Sequence, residues 1–88
     1  MYPKPVQKLP FRRIDDRAVL IHPRLGQVHE LDEVGAFLFA AADGVRSFDE
    51  LTRLVLEEFE EGSPAAVRTD VEEFFEALEK LGMVECRS

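Results

Sequence analysis

The spacing of hydrophobic residues changes once along this chain, close to residue 32. Before that point, short apolar runs bounded by turn residues predict three strands, at residues 11–14, 18–22 and 27–31. Residues 23–26 are Pro-Arg-Leu-Gly, a sequence typical of a turn in which the glycine adopts a positive φ. The three strands together predict a small antiparallel sheet.

After residue 32 the apolar residues recur about every 3.6 positions, which predicts three helices. Asp32 is a good N-cap for the first helix, which Asp43-Gly44 ends. Residues 47–50 form an S-x-x-E capping box for the second helix, which residues 60–62 end. Ser63-Pro64 predicts the start of the third helix. Before Gly82 stops it, this helix carries the apolar residues Val67, Val71, Phe74, Phe75, Leu78 and Leu81.

The order of these elements predicts the fold class. A small three-stranded antiparallel sheet followed by a three-helix bundle is an α+β arrangement, and a winged helix-turn-helix has the same inventory. Residues 1–10 contain three prolines, which predict an extended or mobile N-terminal arm. We therefore expect a single domain over residues 11–88, in which Met83-Val84 adds a short edge strand or packs as a tail.

Composition narrows the class of protein. Apolar residues make up 45% of the 88 residues and charged residues 33%, a mixture typical of globular chains. No run approaches the roughly 20 apolar residues of a membrane span, and Met1–Pro5 lacks the apolar stretch of a signal peptide. We therefore expect a cytoplasmic location. Cys86 is the only cysteine, so no internal disulfide is possible.

The net charge of -7 is unevenly distributed, which bears on nucleic-acid binding. Residues 1–29 carry six basic and two acidic side chains, whereas residues 30–88 carry five basic and sixteen acidic ones. The third predicted helix has Arg68 and Lys80 against five acidic residues, and phosphates repel such a surface. An acidic winged-helix regulator that binds DNA stays open as an alternative, but the acidic helices argue against it.

No group of residues predicts catalysis or a cofactor. His22 and His29 fall on neighbouring predicted strands, but a zinc site needs three or four ligands. The glutamates of the helices are typical of solvated faces, and Ser47 and Ser63 are explained by helix capping. We therefore expect no catalytic residue, no metal and no cofactor.

The pattern instead favours the recognition of a peptide or protein. A short sheet has an exposed edge that can accept an added strand. Phe74 and Phe75 point about 100° apart on a helix, so one can fill the core while the other flanks a groove. The alternative that both lie in the core stays open. An oligomerisation or scaffold domain, which would use the same sheet edge on a second copy, also stays open.

Four segments resemble the PqqD-like family, which comprises coenzyme PQQ synthesis protein D and its relatives. They are Val28–Phe39 with Asp43-Gly44, Ser47–Leu51, Thr69–Leu78 and Leu81–Val84. Together they extend the resemblance over roughly residues 11–85. The resemblance implies a winged-helix-like fold that does not bind DNA. It also implies a recognition element for ribosomally made, post-translationally modified peptides.

The resemblance further implies where a peptide binds. In the family, the leader of a precursor peptide adds as an antiparallel strand beside the third strand and lies against the third helix. The peptide-binding residues implied here are Gln27, Val28, His29, Glu30, Leu31, Val67, Asp70, Val71, Phe74 and Leu78. Asp70 is expected to pair with a basic leader residue or, alternatively, to pair with Arg68 on the helix surface or to lie in solvent beside the phenylalanines.

The implied partners are the precursor peptide and a modifying enzyme, such as a radical-SAM enzyme, a cyclase or a peptidase. The protein itself is expected to be a monomer or dimer and to catalyse no reaction. Members dedicated to PQQ tend to carry proline-glutamate-arginine in the turn before the third strand, whereas this chain has Pro23-Arg24. The pathway therefore stays open between PQQ, lasso-peptide and other modification systems.

Overall fold

The computed structural model describes residues 1–6, 9–59 and 62–87. Eight elements follow one another along these residues. They are β1 (Tyr2–Pro5), β2 (Phe11–Ile14), β3 (Arg17–Ile21), β4 (Val28–Leu31), α1 (Glu33–Ala41), α2 (Phe48–Phe59), α3 (Pro64–Lys80) and β5 (Val84–Arg87). The predicted α+β arrangement, with a three-stranded antiparallel sheet and three helices, is confirmed.

The three-stranded sheet has the order β2-β3-β4, with β3 in the centre. Its inner face is apolar because Ala18, Leu20 and Leu31 alternate with outward-facing residues, and these three side chains are buried. The tight turn from β2 to β3 lacks glycine. Asp15 adopts a φ of 56° there, a left-handed conformation that aspartate tolerates better than most residues.

The helices begin where the sequence predicts because each start has its own cap. The Asp32 carboxylate accepts a hydrogen bond from the Gly35 amide at 2.8 Å. Ser63 Oγ accepts one from the Ala66 amide at 3.2 Å. Ser47 and Glu50 cap each other's amides at 3.3 and 3.2 Å, as a capping box does. Glu60 and Glu61, part of the predicted end of the second helix, lie outside the described residues.

The N-terminal segment joins the fold through a second sheet. Tyr2–Pro5 forms the strand β1, which pairs antiparallel with β5 from Tyr2↔Arg87 to Pro5↔Val84. The Gly44 amide also donates a hydrogen bond to the Pro3 carbonyl at 2.9 Å. Met83 and Val84 are both buried. The sequence predicted either a short edge strand or a packed tail at these residues. Val84 begins the strand β5, and Met83 directly precedes it.

The core lies between the inner face of the three-stranded sheet and the helices. Phe75, Leu20, Leu51 and Met83 are fully buried there. Phe75 stacks on Phe48 of α2, with 5.9 Å between ring centroids, so that α2 and α3 share one aromatic contact. No helix of the described residues is long and apolar enough to cross a membrane.

Candidate functional site

The outer edge of β4 presents backbone groups that make no ladder bonds. Among the described residues, β4 pairs only with β3. The His22 backbone amide donates a hydrogen bond to the Gln27 carbonyl at 2.8 Å. Hydrogen-bonded and non-hydrogen-bonded residue pairs alternate along an antiparallel ladder, so this bond fixes which residues of β4 bond to β3. His29 and Leu31 therefore bond to β3, whereas the N–H and C=O groups of Val28 and Glu30 point away from it. An added strand would meet these groups.

An apolar groove runs between β4 and α3 and contains two cavities. The first, of about 420 Å³, lies between the end of β4 and the C-terminal half of α3. The second, of about 300 Å³, lies among the N-terminal half of α3, α1 and α2. Asp32, Gly35 and Phe74 line both cavities, so the two adjoin at Phe74. The groove thus follows the open edge of the sheet and continues along α3.

Phe74 lies in this groove and Phe75 in the core. Phe75 is 0% exposed, whereas Phe74 is half-buried and lines both cavities. Their rings make an edge-to-face contact with centroids 5.0 Å apart. Of the two arrangements that the sequence left open, the structure has one phenylalanine in the core and one in the groove.

Gly35 brings α1 close enough to form the wall beneath Phe74. A Cβ atom at this position would lie 3.2 Å from Phe74 Cε1, 3.3 Å from Asp32 Oδ1 and 3.4 Å from Leu31 Cβ. The first two of these distances are tighter than nearly all real Cβ contacts, so a larger residue here would displace the ring by a few tenths of an ångström. Gly35 was not predicted as a site residue, although a glycine inside a helix costs about 1 kcal/mol and so signals a packing requirement.

Two carboxylate side chains lie at the second cavity. Asp32 and Asp70 both line it, and Asp32 uses its Oδ1 to cap α1. Arg68, the expected local partner of Asp70, instead pairs with Asp49 of α2 and with Glu72, whose Oε1 lies 2.7 Å from Arg68 Nε. Among the described residues Asp70 makes no ion pair, so its carboxylate is available to a basic group of a ligand.

The two histidines differ in position. His22 lies outside the groove, where its Nε2 is 2.8 Å from the Leu81 carbonyl and its Nδ1 accepts hydrogen bonds from the Arg24 and Leu25 amides. That geometry fixes the turn after β3 against the end of α3. His29 lines the first cavity, as part of the open strand.

The described part of the chain offers no cluster of three or more His, Cys, Asp or Glu side chains that would hold a metal ion. Burial, reinforced by the negative charge of Glu79, raises the pKa of the Cys86 thiol above its usual value of 9.0. A raised pKa keeps the thiol protonated and weakly nucleophilic.

The residues predicted to bind a peptide are therefore distributed along one groove. Those that line its cavities are His29, Glu30, Leu31, Val67, Asp70, Val71, Phe74 and Leu78. Val28 is 62% exposed and contributes its backbone at the open edge. Gln27, which was expected within the strand, precedes β4, because the strand begins at Val28. Their binding role stays a prediction. Residues that line the cavities but were missed include Val34, Val55, Ala77 and Leu81.

The fold and the groove define a small α+β domain with an open strand edge beside an apolar helix. The family model of coenzyme PQQ synthesis protein D (PqqD) matches residues 17–84, and the chain belongs to this family. The predicted membership is thus confirmed. No curated protein matches the sequence.

Solved structures share the fold at low sequence identity. The structure of TbiB1 in complex with the TbiA(beta) leader peptide has a TM-score of 0.83 and 24% identity, covering 97% of this chain and 98% of that one. Lasso peptide synthetase B1 complexed with the leader peptide has a TM-score of 0.82 and 16% identity, covering 97% and 99%. The PqqD truncation of Methylobacterium extorquens PqqCD, described as a functional and stand-alone RiPP recognition element, has a TM-score of 0.75 and 16% identity, covering 94% and 87%.

Proposed function

We propose that this protein is a leader-peptide-binding adaptor. It captures the leader of a ribosomally synthesised precursor peptide by strand addition to β4, and it holds the precursor for a modifying enzyme. The observation that carries the proposal is the juxtaposition of the open β4 edge with the apolar groove along α3. Membership of the PqqD family, and two structural neighbours that are complexes with leader peptides, support it.

Strand addition supplies affinity through main-chain hydrogen bonds. Val28 and Glu30 each offer an outward N–H and C=O, and a peptide strand beside them would pair with these groups. Such bonds do not depend on the peptide side chains, so they tolerate variation in the leader. The strand position therefore accounts for binding but not for selectivity.

Selectivity comes from the two cavities of the groove. Alternate residues of an extended peptide point to the same side, so those that face α3 enter the cavities while their neighbours face solvent. Phe74, between the cavities, contacts the peptide side chains on both sides. Asp70 at the second cavity favours a leader with a basic residue there.

The partner enzyme carries out the chemical modification of the precursor. The protein contributes a bound, ordered leader and no catalytic group, and the enzyme is of the radical-SAM, cyclase or peptidase kind. Ordering a flexible leader costs conformational entropy, so a moderate affinity is expected, which also lets the processed peptide leave. We also propose that the fold is of the winged helix-turn-helix kind and that its helical face binds a peptide instead of DNA.

Titration of the protein with fluorescently labelled precursor peptides, followed by anisotropy, tests the proposal. The peptides come from the open reading frames beside the gene, each made as leader, core and scrambled leader. We expect one leader to bind with saturable affinity while its core and scrambled forms do not. Val45→Ala, at a side chain that is 73% exposed and does not line the groove, serves as the matched control and binds as wild type does. Equal binding of the leader and scrambled leader contradicts the proposal.

A further inference from the structure

A third cavity lies just beyond the groove, at the C-terminal end of α3. It has a volume of about 360 Å³, and its wall consists of the turn after β3 and the end of α3, namely His22, Pro23, Arg24, Lys80, Leu81 and Gly82. Leu81 also lines the first cavity, so the two cavities adjoin at this residue. Because the turn leads directly into β4, a peptide that continues past Val28 reaches the third cavity.

The His22 imidazole joins the two parts of this wall. Its Nδ1 accepts hydrogen bonds from the Arg24 and Leu25 amides, each at 3.1 Å. The ring proton is therefore on Nε2, which donates to the Leu81 carbonyl at 2.8 Å. These bonds fix the backbone of the turn beside the end of α3, so that Arg24 and Lys80 line the same cavity.

The two charged side chains of the third cavity are both basic. Arg24 and Lys80 are exposed, and neither forms an ion pair with a described residue. Two neighbouring carboxylates of α3 face β5 instead, since Glu79 accepts a hydrogen bond from the Cys86 amide at 3.2 Å and Glu76 lies near the Cys86 thiol. The C-terminal end of a helix carries about half a negative charge, which two full positive charges exceed. The third cavity is therefore a positively charged region of a protein whose net charge is -7.

The second cavity, at the opposite end of the groove, carries the opposite charge. Asp32 and Asp70 line it, and none of the described residues in its wall is basic. Along α3 the charge thus changes from negative near Asp70 to positive near Lys80, with the mostly apolar first cavity between them. Charges act over about 10 Å at moderate salt, so flexible side chains attract an opposite charge without a fixed contact. A peptide whose charges have the matching order is therefore favoured in one direction and one register.

We propose that the third cavity is a subsite for an acidic side chain of the leader, which Arg24 and Lys80 attract, and that this subsite and Asp70 together set the direction of the bound peptide. This inference rests on the proposed function and adds the charge pattern of the ligand. An antiparallel strand beside β4 has its N-terminal part near Asp32 and its C-terminal part near the turn. The leader therefore carries a basic residue before its apolar residues and an acidic residue after them.

The first test uses the wild-type protein, so that folding is not in question. Each Asp of the leader that binds is replaced in turn by Asn, and each Glu by Gln. We expect one replacement, C-terminal to the apolar residues, to weaken binding by about threefold to tenfold at low salt and by less at high salt, since each exposed ion pair contributes little. The inference is overturned if no replacement weakens binding, if the effective residue precedes the apolar ones, or if the leader that binds has no acidic residue.

The second test joins that acidic residue to the third cavity by a double-mutant cycle. Arg24→Gln combined with Lys80→Gln should weaken binding of the native leader by a similar factor and should change binding of the replaced leader little. Arg12→Gln combined with Arg53→Gln is the control, because it removes the same charge from two exposed arginines that line none of the three cavities, and it should affect both leaders equally. Circular dichroism checks that both variants are folded. Full additivity of the protein and peptide changes overturns the inference while leaving the adaptor function intact. Failure of every leader to bind wild type overturns the adaptor function itself.

Discussion

Phe74 and Phe75 touch edge to face, with ring planes at 79°, yet one belongs to the groove and the other to the core. Phe75 stacks on Phe48 and has no exposed surface. Phe74 covers Gly35 and separates the two cavities. Adjacent residues of one helix therefore serve binding and stability separately, because each position along a helix is turned by about 100° from the one before.

Alanine substitution should separate these two roles. Phe75→Ala leaves a cavity in the core and should lower the free energy of unfolding by about 3–5 kcal/mol. Phe74→Ala removes a half-buried ring and should lower it by only about 1–2 kcal/mol, while weakening leader binding by about tenfold or more. Urea denaturation measures the first quantity and anisotropy the second. If Phe74→Ala binds the leader as tightly as wild type does, the assignment of Phe74 to leader binding is wrong.

Gly35→Ala should weaken peptide binding through Phe74. The added methyl group would lie 3.2 Å from Phe74 Cε1, so the ring must move, whereas alanine improves helix propensity by about 1 kcal/mol. We expect little net change in the free energy of unfolding and a lower affinity for the leader. In a Phe74→Ala background the same substitution should have a much smaller effect on affinity. An equal effect in both backgrounds would show that the clash with the ring is not the cause.

Asp70→Asn tests the charge at the second cavity. For a leader with a basic residue facing this cavity, loss of the carboxylate should weaken binding by about two- to fivefold at low salt, since exposed ion pairs contribute little. The difference from wild type should shrink as the salt concentration rises. Glu73→Gln is the matched control, because Glu73 is an exposed acidic residue of α3 that lines neither cavity. Equal losses in both variants would indicate a nonspecific effect of net charge.

Asp43 should make stability depend on pH in the acid range. The Arg46 and Val45 amides each donate to its Oδ1 at 2.9 Å, and together with the Arg46 guanidinium they hold the pKa of this carboxyl below 3.8. A lowered native pKa stabilises the fold above the unfolded pKa, and this stabilisation is lost as the pH falls through the native pKa.

Wild type should therefore be more stable than Asp43→Asn at about pH 6, and the difference should shrink as the pH falls into the acid range below the ordinary pKa of aspartate. Urea denaturation over this pH range measures the difference. Asp16→Asn is the control variant, because Asp16 is an exposed aspartate in the turn after β2. A difference between wild type and Asp43→Asn that stays constant with pH would contradict the assignment.

Local signals allowed much of the fold to be predicted from sequence. The caps at Asp32, Ser47 and Ser63 depend on contacts within three residues, so their side chains and spacing suffice to locate the helix starts. The pairing of Tyr2 with Arg87 joins the two ends of the chain, and no local pattern encodes it.

The site was predictable in outline only. The apolar spacing of α3 indicates which face is rich in hydrophobic residues, but it does not reveal which of Phe74 and Phe75 the sheet leaves uncovered. Gly35 was missed for a related reason. Its importance depends on Phe74, a residue nearly forty positions away that only the folded chain brings into contact.

Amide hydrogen exchange of β4, with and without the bound leader, tests strand addition most directly. The amides of Val28 and Glu30 point to the open edge, whereas those of His29 and Leu31 bond to β3 and provide an internal reference. Strand addition predicts that leader binding slows exchange at Val28 and Glu30 and changes His29 and Leu31 much less. A leader that binds without slowing exchange at Val28 and Glu30 would contradict strand addition at this edge.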